Sequence, residues 1–137
     1  MIEKIIRKWI VAKGTGAGDR VFPVVAPQDV DQFPIVVLER ISTDRPHSHT
    51  QRSSGLAVAR IQIRTWAKTY IEAKQVDEEI RMTIDGRVGK DTIDSRDFDV
   101  QAILATDDRD DYDEDLRCYG TLFDVLVWYD EEIPETL

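Results

Sequence analysis

The sequence predicts an α+β fold: an antiparallel sheet of about four strands, two amphipathic helices packed on one face, and long inter-strand loops. Three observations predict it. Two segments place apolar residues at helical spacing; residues 56–67 alternate at strand spacing, while 118–130 form a strand with apolar residues on both sides; and the elements run helix, strand, strand, helix, strand, strand. Polar stretches join the two strands of each pair, which suits antiparallel neighbours.

The first helix is read from Ile2, Ile5, Ile6, Trp9 and Ile10, which share one helical face, while Glu3, Lys4, Arg7 and Lys8 share the other. "GTGAGD" (14–19) ends it, because three glycines cost too much backbone entropy for a helix to continue. Residues 20–41 hold three prolines. Pro23 and Pro27 punctuate a short extended piece, at best an edge segment, and "IVVLERI" (35–41) has the β-branched content of a strand. Residues 42–55 have no periodicity and read as a long loop, a length at which loops tend to be functional or disordered.

"LAVARIQIRTWA" (56–67) turns Ala57, Ala59, Ile61 and Ile63 to one side and Arg60, Gln62 and Arg64 to the other. "TYIE" (69–72) is a capping box with Thr69 as the cap, and Tyr70, Ala73, Val76, Ile80 and Ile84 then mark a helix over 70–85 that stops at Gly86. Residues 87–99 read as loop, with room for a short extended piece, and "VQAILATDD" (100–108) as a strand. The acidic run "DDRDDYDED" (107–115) reads as a solvated loop entering the last strand, "CYGTLFDVLVWYD" (118–130). Residues 131–137 read as a short exposed C-terminal tail of a single domain spanning 1–137.

The 137 residues are the size of one domain, and their 42% apolar content is ordinary for a globular chain. No apolar run reaches the roughly 18 residues that cross a bilayer, so no membrane partner is expected. The N-terminus mixes charge evenly with apolar residues, unlike a signal peptide. Cys118, the one cysteine, reads as a small buried residue opening a strand. The net charge of −9 is uneven: residues 1–64 carry +4 and residues 65–137 carry −13. That argues against a protein that grips nucleic-acid phosphates and suits a surface that DNA slides past.

The chemical motifs fail position by position. An EF-hand loop begun at Asp111 would put Leu116 where the turn glycine belongs and Leu122 where the bidentate glutamate belongs. "GTGAGD" has Asp19 at the third glycine of a dinucleotide fingerprint and follows a helix. In "GRVGKD" (86–91), Asp91 replaces the Ser/Thr of a P-loop. His47 and His49 offer two metal ligands at most, and there is no Gly-x-Ser-x-Gly elbow. No enzyme, cofactor or metal site is therefore expected. Arg60, Gln62 and Arg64, with Arg45 and Arg52 nearby, form a basic strip: either a solvent face or an interface to the acidic half of a neighbouring copy.

One resemblance goes further. A helix precedes "VFPVVAPQ" (21–28) and "FPIVVLERI" (33–41); "GLAVARIQIRTWAKTYIEAKQVDEEIRMTIDG" (55–86) follows; "YGTLFDVLVWYDE" (119–131) closes the order. This order is similar to that of the tail completion and tail terminator family of long-tailed bacteriophages and related particles. The resemblance implies a non-enzymatic virion protein that forms a ring, usually of six copies, on the end of the tail tube. Such a ring stops tube polymerisation, joins the tail to the neck beneath the head, and lets DNA pass through its centre without specific binding. The partners implied are further copies, the tail tube protein and a neck or head-completion protein, assembled in the host cytoplasm. Another neck protein of the same particle, or a small metal-binding carboxylate enzyme, stand as alternatives.

Under this resemblance, Asp44, Arg45, His47, His49 and Arg52 are the candidate tube- or neck-contact loop. Arg60 and Arg64 are candidates to pair between subunits with Asp107, Asp108, Asp110 and Asp111. Asp113, Glu114 and Asp115 are candidate lumen-facing acids.

Overall fold

The computed structural model describes residues 1–23, 32–45, 56–115 and 117–130. The elements, in chain order, are α1 (Ile2–Lys13), β1 (Val21–Pro23), β2 (Ile35–Asp44), β3 (Leu56–Ala67), α2 (Tyr70–Ile84), β4 (Gly89–Ile93), β5 (Arg96–Asp113) and β6 (Cys118–Asp130). Both helices begin and end where their sequence signals stand. Gly14 closes α1 in the left-handed region at φ 76°, where a Cβ would strain the backbone. At the start of α2, the Thr69 hydroxyl accepts the Glu72 N–H at 3.2 Å.

The sheet differs from the expected one. Six strands replace four, in the order β1-β2-β3-β6-β5-β4, and the sheet is mixed because β1 runs parallel to β2. It also curls, so the picture of two helices laid on one face of a four-stranded antiparallel sheet does not hold. Helix α1 meets both edges of the sheet. Arg7 Nε donates to the Val21 carbonyl at 2.7 Å on the β1 side. On the β4 side, Lys8 pairs with Asp91 at 2.6 Å and the Trp9 indole N–H donates to Asp91 at 2.8 Å. Lys8 first, then Trp9 and the Thr92 backbone N–H, hold the Asp91 carboxyl down at about 2.

Two strand assignments account for the extra length. Residues 87–99, expected as loop with at most a short extended piece, contain β4 and the start of β5, joined by a tight turn with Asp94 at φ 51° and Ser95 at φ 64°. That two-residue left-handed turn matches the twist of a hairpin, but Asp-Ser is a weak signal for it compared with Asn-Gly. The acidic run, expected as loop, is strand through Asp113, with Asp110 opposite Thr121 and Tyr112 opposite Tyr119. β6 is apolar and long, and its backbone groups need a partner on this side whatever that partner's side chains are.

One core gathers Ile5, Ile6 and Ile10 of α1, Val76 and Ile80 of α2, Ile61 and Ile63 of β3, and Phe123, Val125 and Val127 of β6. Each such side chain contributes roughly 1.5–3 kcal/mol on burial. Tyr70, expected on the buried stripe of α2, is instead 45% exposed, because it sits at the end of the helix beyond this core. Among the described residues, no helix is long and apolar enough to cross a membrane.

Candidate assembly surface

The alternation of β3 and β6 sends every second side chain to the sheet face opposite the core. Cross-strand register places Val58 beside Trp128, Arg60 beside Leu126, Gln62 beside Asp124, Arg64 beside Leu122 and Trp66 beside Gly120. β5 extends this outer face with Leu104 opposite Leu126 and Arg109 opposite Leu122. Leu104 is 52% exposed, and Val58, Leu126 and Trp128 are half-buried, so an apolar strip crosses the outer face.

A buried carboxylate interrupts the strip. Asp124 is only 3% exposed, in the middle of an otherwise apolar strand. Burying a charge is costly unless it is paired, and arginines flank it on both neighbouring strands. Arg60 of β3 donates to its Oδ2 from Nε at 2.9 Å and from Nη2 at 2.6 Å. Arg109 of β5 reaches its Oδ1 at 3.3 Å. Arg60 Nη2 also meets Asp107 Oδ2 at 2.9 Å. The hydrogen bond that Asp124 accepts, followed by its charge, holds the Arg60 pKa above its ordinary value.

A β-bulge makes the Asp107 contact possible. The β5–β6 register slips between Thr106 and Arg109, and Asp107 takes φ 59°. Asp tolerates that left-handed conformation better than most residues. The bulge turns the Asp107 carboxylate back toward β3.

Further along, the Trp66 ring lies over Gly120, where a Cβ would come within 2.7 Å of the indole. The Arg64 guanidinium stands 5.6 Å from the centre of the same ring. Its Nε is enclosed without a hydrogen-bond partner, and no carboxylate pairs with Arg64 among the described residues.

The predicted site residues are therefore divided. Arg60 and Asp107 meet within one chain. Arg64 shares the outer face with them but meets no acid of the run. Asp110 lies on the opposite face, paired across the sheet with Thr121, and binds the Tyr70 hydroxyl at 3.0 Å and the Lys74 ammonium. The Lys74 hydrogen bond lowers the Asp110 pKa. Asp108 and Asp111 are exposed on β5. Asp113, Glu114 and Asp115 sit at the β5–β6 turn, where Asp113 Oδ1 accepts the Asp115 N–H at 3.0 Å. Asp44 and Arg45 are exposed where β2 ends; His47, His49, Arg52 and the tail 131–137 lie outside the described residues. Among the described residues, no three His, Cys, Asp or Glu side chains converge as a metal site.

Sequence reasoning missed Asp124, although a lone carboxylate in "LFDVLVW" is the signal for it. It also missed a polar inclusion under α2. There the Asp77 Oδ1, Thr65 Oγ1 and Thr121 Oγ1 are buried without well-formed hydrogen bonds. Burial raises the Asp77 pKa, an effect partly offset by the Thr121 hydroxyl.

No family model matches the chain, and neither does any curated protein. Among solved structures, the chain is similar to one from the virion of a native gene transfer agent particle. The TM-score is 0.59 at 16% identity, over 91% of this chain and 84% of that one. That likeness is one of fold.

Proposed function

We propose that the chain is a structural protein of a phage-like particle, forming a ring on the end of the tail tube. The observation that carries this reading is the fold shared, over nearly the full length of both chains, with a virion chain of the gene transfer agent particle. The order of sequence motifs that resembles the tail terminator family points the same way. No step of chemistry is assigned to any residue.

On this reading one ring face repeats the contact that tube subunits make with each other and caps the last tube ring. The opposite face lacks that contact, so polymerisation stops and a neck protein docks. Copies meet head to tail, a contact that closes into a ring when its rotation permits. The outer sheet face supplies one side of that contact, with Arg64 available to exposed acids such as Asp108 and Asp111 of the next copy. Asp113, Glu114 and Asp115 then line the hole and repel passing DNA. The protein resides in the virion, at the junction of tail and neck, after assembly in the host cytoplasm.

Reconstruction of the intact particle tests this. A six-fold ring of this chain on the tube end is the expected result. A twelve-fold ring against the portal would overturn it in favour of a head-completion or adaptor role.

A further inference from the structure

We propose a second docking surface, distinct from the outer sheet face: a tyrosine corner that takes an arginine-bearing segment of a partner protein. Tyr70 opens α2, while Tyr112 and Tyr119 face each other across the β5–β6 hairpin. Tyr70 and Tyr119 pack edge to face at 6.2 Å and 78°, and Tyr112 leans on Tyr119 at 4.9 Å. The three rings form one cluster yet stay 45%, 45% and 38% exposed for Tyr70, Tyr112 and Tyr119, beside Ile71 at 69%. Contiguous exposed aromatic surface of this kind marks interaction sites, and tyrosine is enriched at them because a rigid ring loses little entropy on binding.

The cluster is also fixed in place. The Tyr70 hydroxyl is held by Asp110, and Asp110 by Lys74. A partner therefore meets preorganised rings. The charge around them selects that partner. Residues 107–117 carry seven carboxylates and two arginines, and Glu114 and Asp115 are exposed at the turn between Tyr112 and Tyr119. Nucleic acid is repelled there. Arginine suits both features, because its planar guanidinium stacks on an aromatic face while its edge pairs with a carboxylate. The cluster already does this in part for a cation of its own: the Lys74 ammonium lies 5.3 Å from the Tyr70 ring centre. The surface does not depend on the ring reading.

The test is an NMR titration of the full chain with a capped Gly/Ser peptide carrying three arginines, and with its three-lysine counterpart. The arginine peptide should shift the Tyr112 and Tyr119 signals and bind several-fold more tightly than the lysine peptide. Tyr112→Leu combined with Tyr119→Leu should weaken arginine-peptide binding by roughly ten-fold, two exposed cation–π contacts being lost. Native mass spectrometry should give the same oligomers for this variant as for the parent, which separates the corner from ring assembly. Equal affinity for the two peptides, shifts spread over other acidic segments such as 97–99, or no shift at millimolar peptide would each overturn the proposal. Shifts at the tyrosines that grow with protein concentration alone would also overturn it, naming a second copy as the occupant. The comparison of the two peptides on the parent chain stands even if the double variant does not fold.

Discussion

Phe123 and Asp124 are neighbours in β6 and report on two different interiors. Phe123 points into the core with 0% exposure, among the isoleucines of both helices. Asp124 points to the outer face and is nearly as buried, but its enclosure is made of two arginines whose side chains remain 40% and 52% exposed. One interior is closed by apolar packing, the other by ion pairs that water reaches from outside. The second is what an open face needs if it is to be presented to a partner without collapsing.

Breaking each interior should separate them. Phe123→Ala removes a ring from a site with no solvent to refill it, and should cost about 3–5 kcal/mol in urea unfolding. Asp124→Ala removes the shared partner of Arg60 and Arg109, but water can solvate both arginines, so the cost should be about 1–2 kcal/mol. If the two variants lost equal stability, the outer cluster would be as closed as the core and unsuited to docking.

The smallest effect concerns Asp77, a carboxylate on the core side that lacks the arginines Asp124 enjoys. Its raised pKa means that the folded state disfavours its charge. That penalty is present at neutral pH and relieved as pH falls through the raised folded value. Asp77→Asn should therefore raise stability at pH 7, by less than about 1 kcal/mol because solvent reaches part of the site and screens the charge. The advantage over the parent should vanish in acid. Asp91 behaves in the opposite sense: its folded value of about 2 lies below the ordinary 3.8, so its contribution is present above pH 3.8 and is lost as pH falls toward 2. Thermal melts of parent, Asp77→Asn and Asp91→Asn between pH 2 and 7 check both signs; an advantage for Asp77→Asn that grew in acid would contradict the assignment for Asp77.

Elements whose own residues carry the signal were legible. The apolar stripe of α1, the Thr69 cap and the alternation of β3 stand in the sequence as they stand in the structure. β4 and the distal half of β5 were not. Apart from Ile93 and Tyr112 their side chains are charged or small, and they are strands because a neighbour requires their backbone: β6 for β5, and β5 in turn for β4. The site divided in the same way. Arg60 was visible as part of a basic strip, but its principal partner, Asp124, is 64 residues away and was not.

By itself the sequence determined two amphipathic helices, two strongly patterned strands and an acidic second half, because periodicity and charge are properties of short stretches of chain. Tertiary structure alone decided that the sheet has six strands and curls until α1 touches both its edges. It also decided the pairing within the acidic run. "DDRDDYDED" is in the main a strand, its Asp107 turned to Arg60 on one face and its Asp110 to Tyr70 and Lys74 on the other. A strand alternates its faces, a bulge resets the alternation, and only the register with β6 fixes which carboxylate goes where.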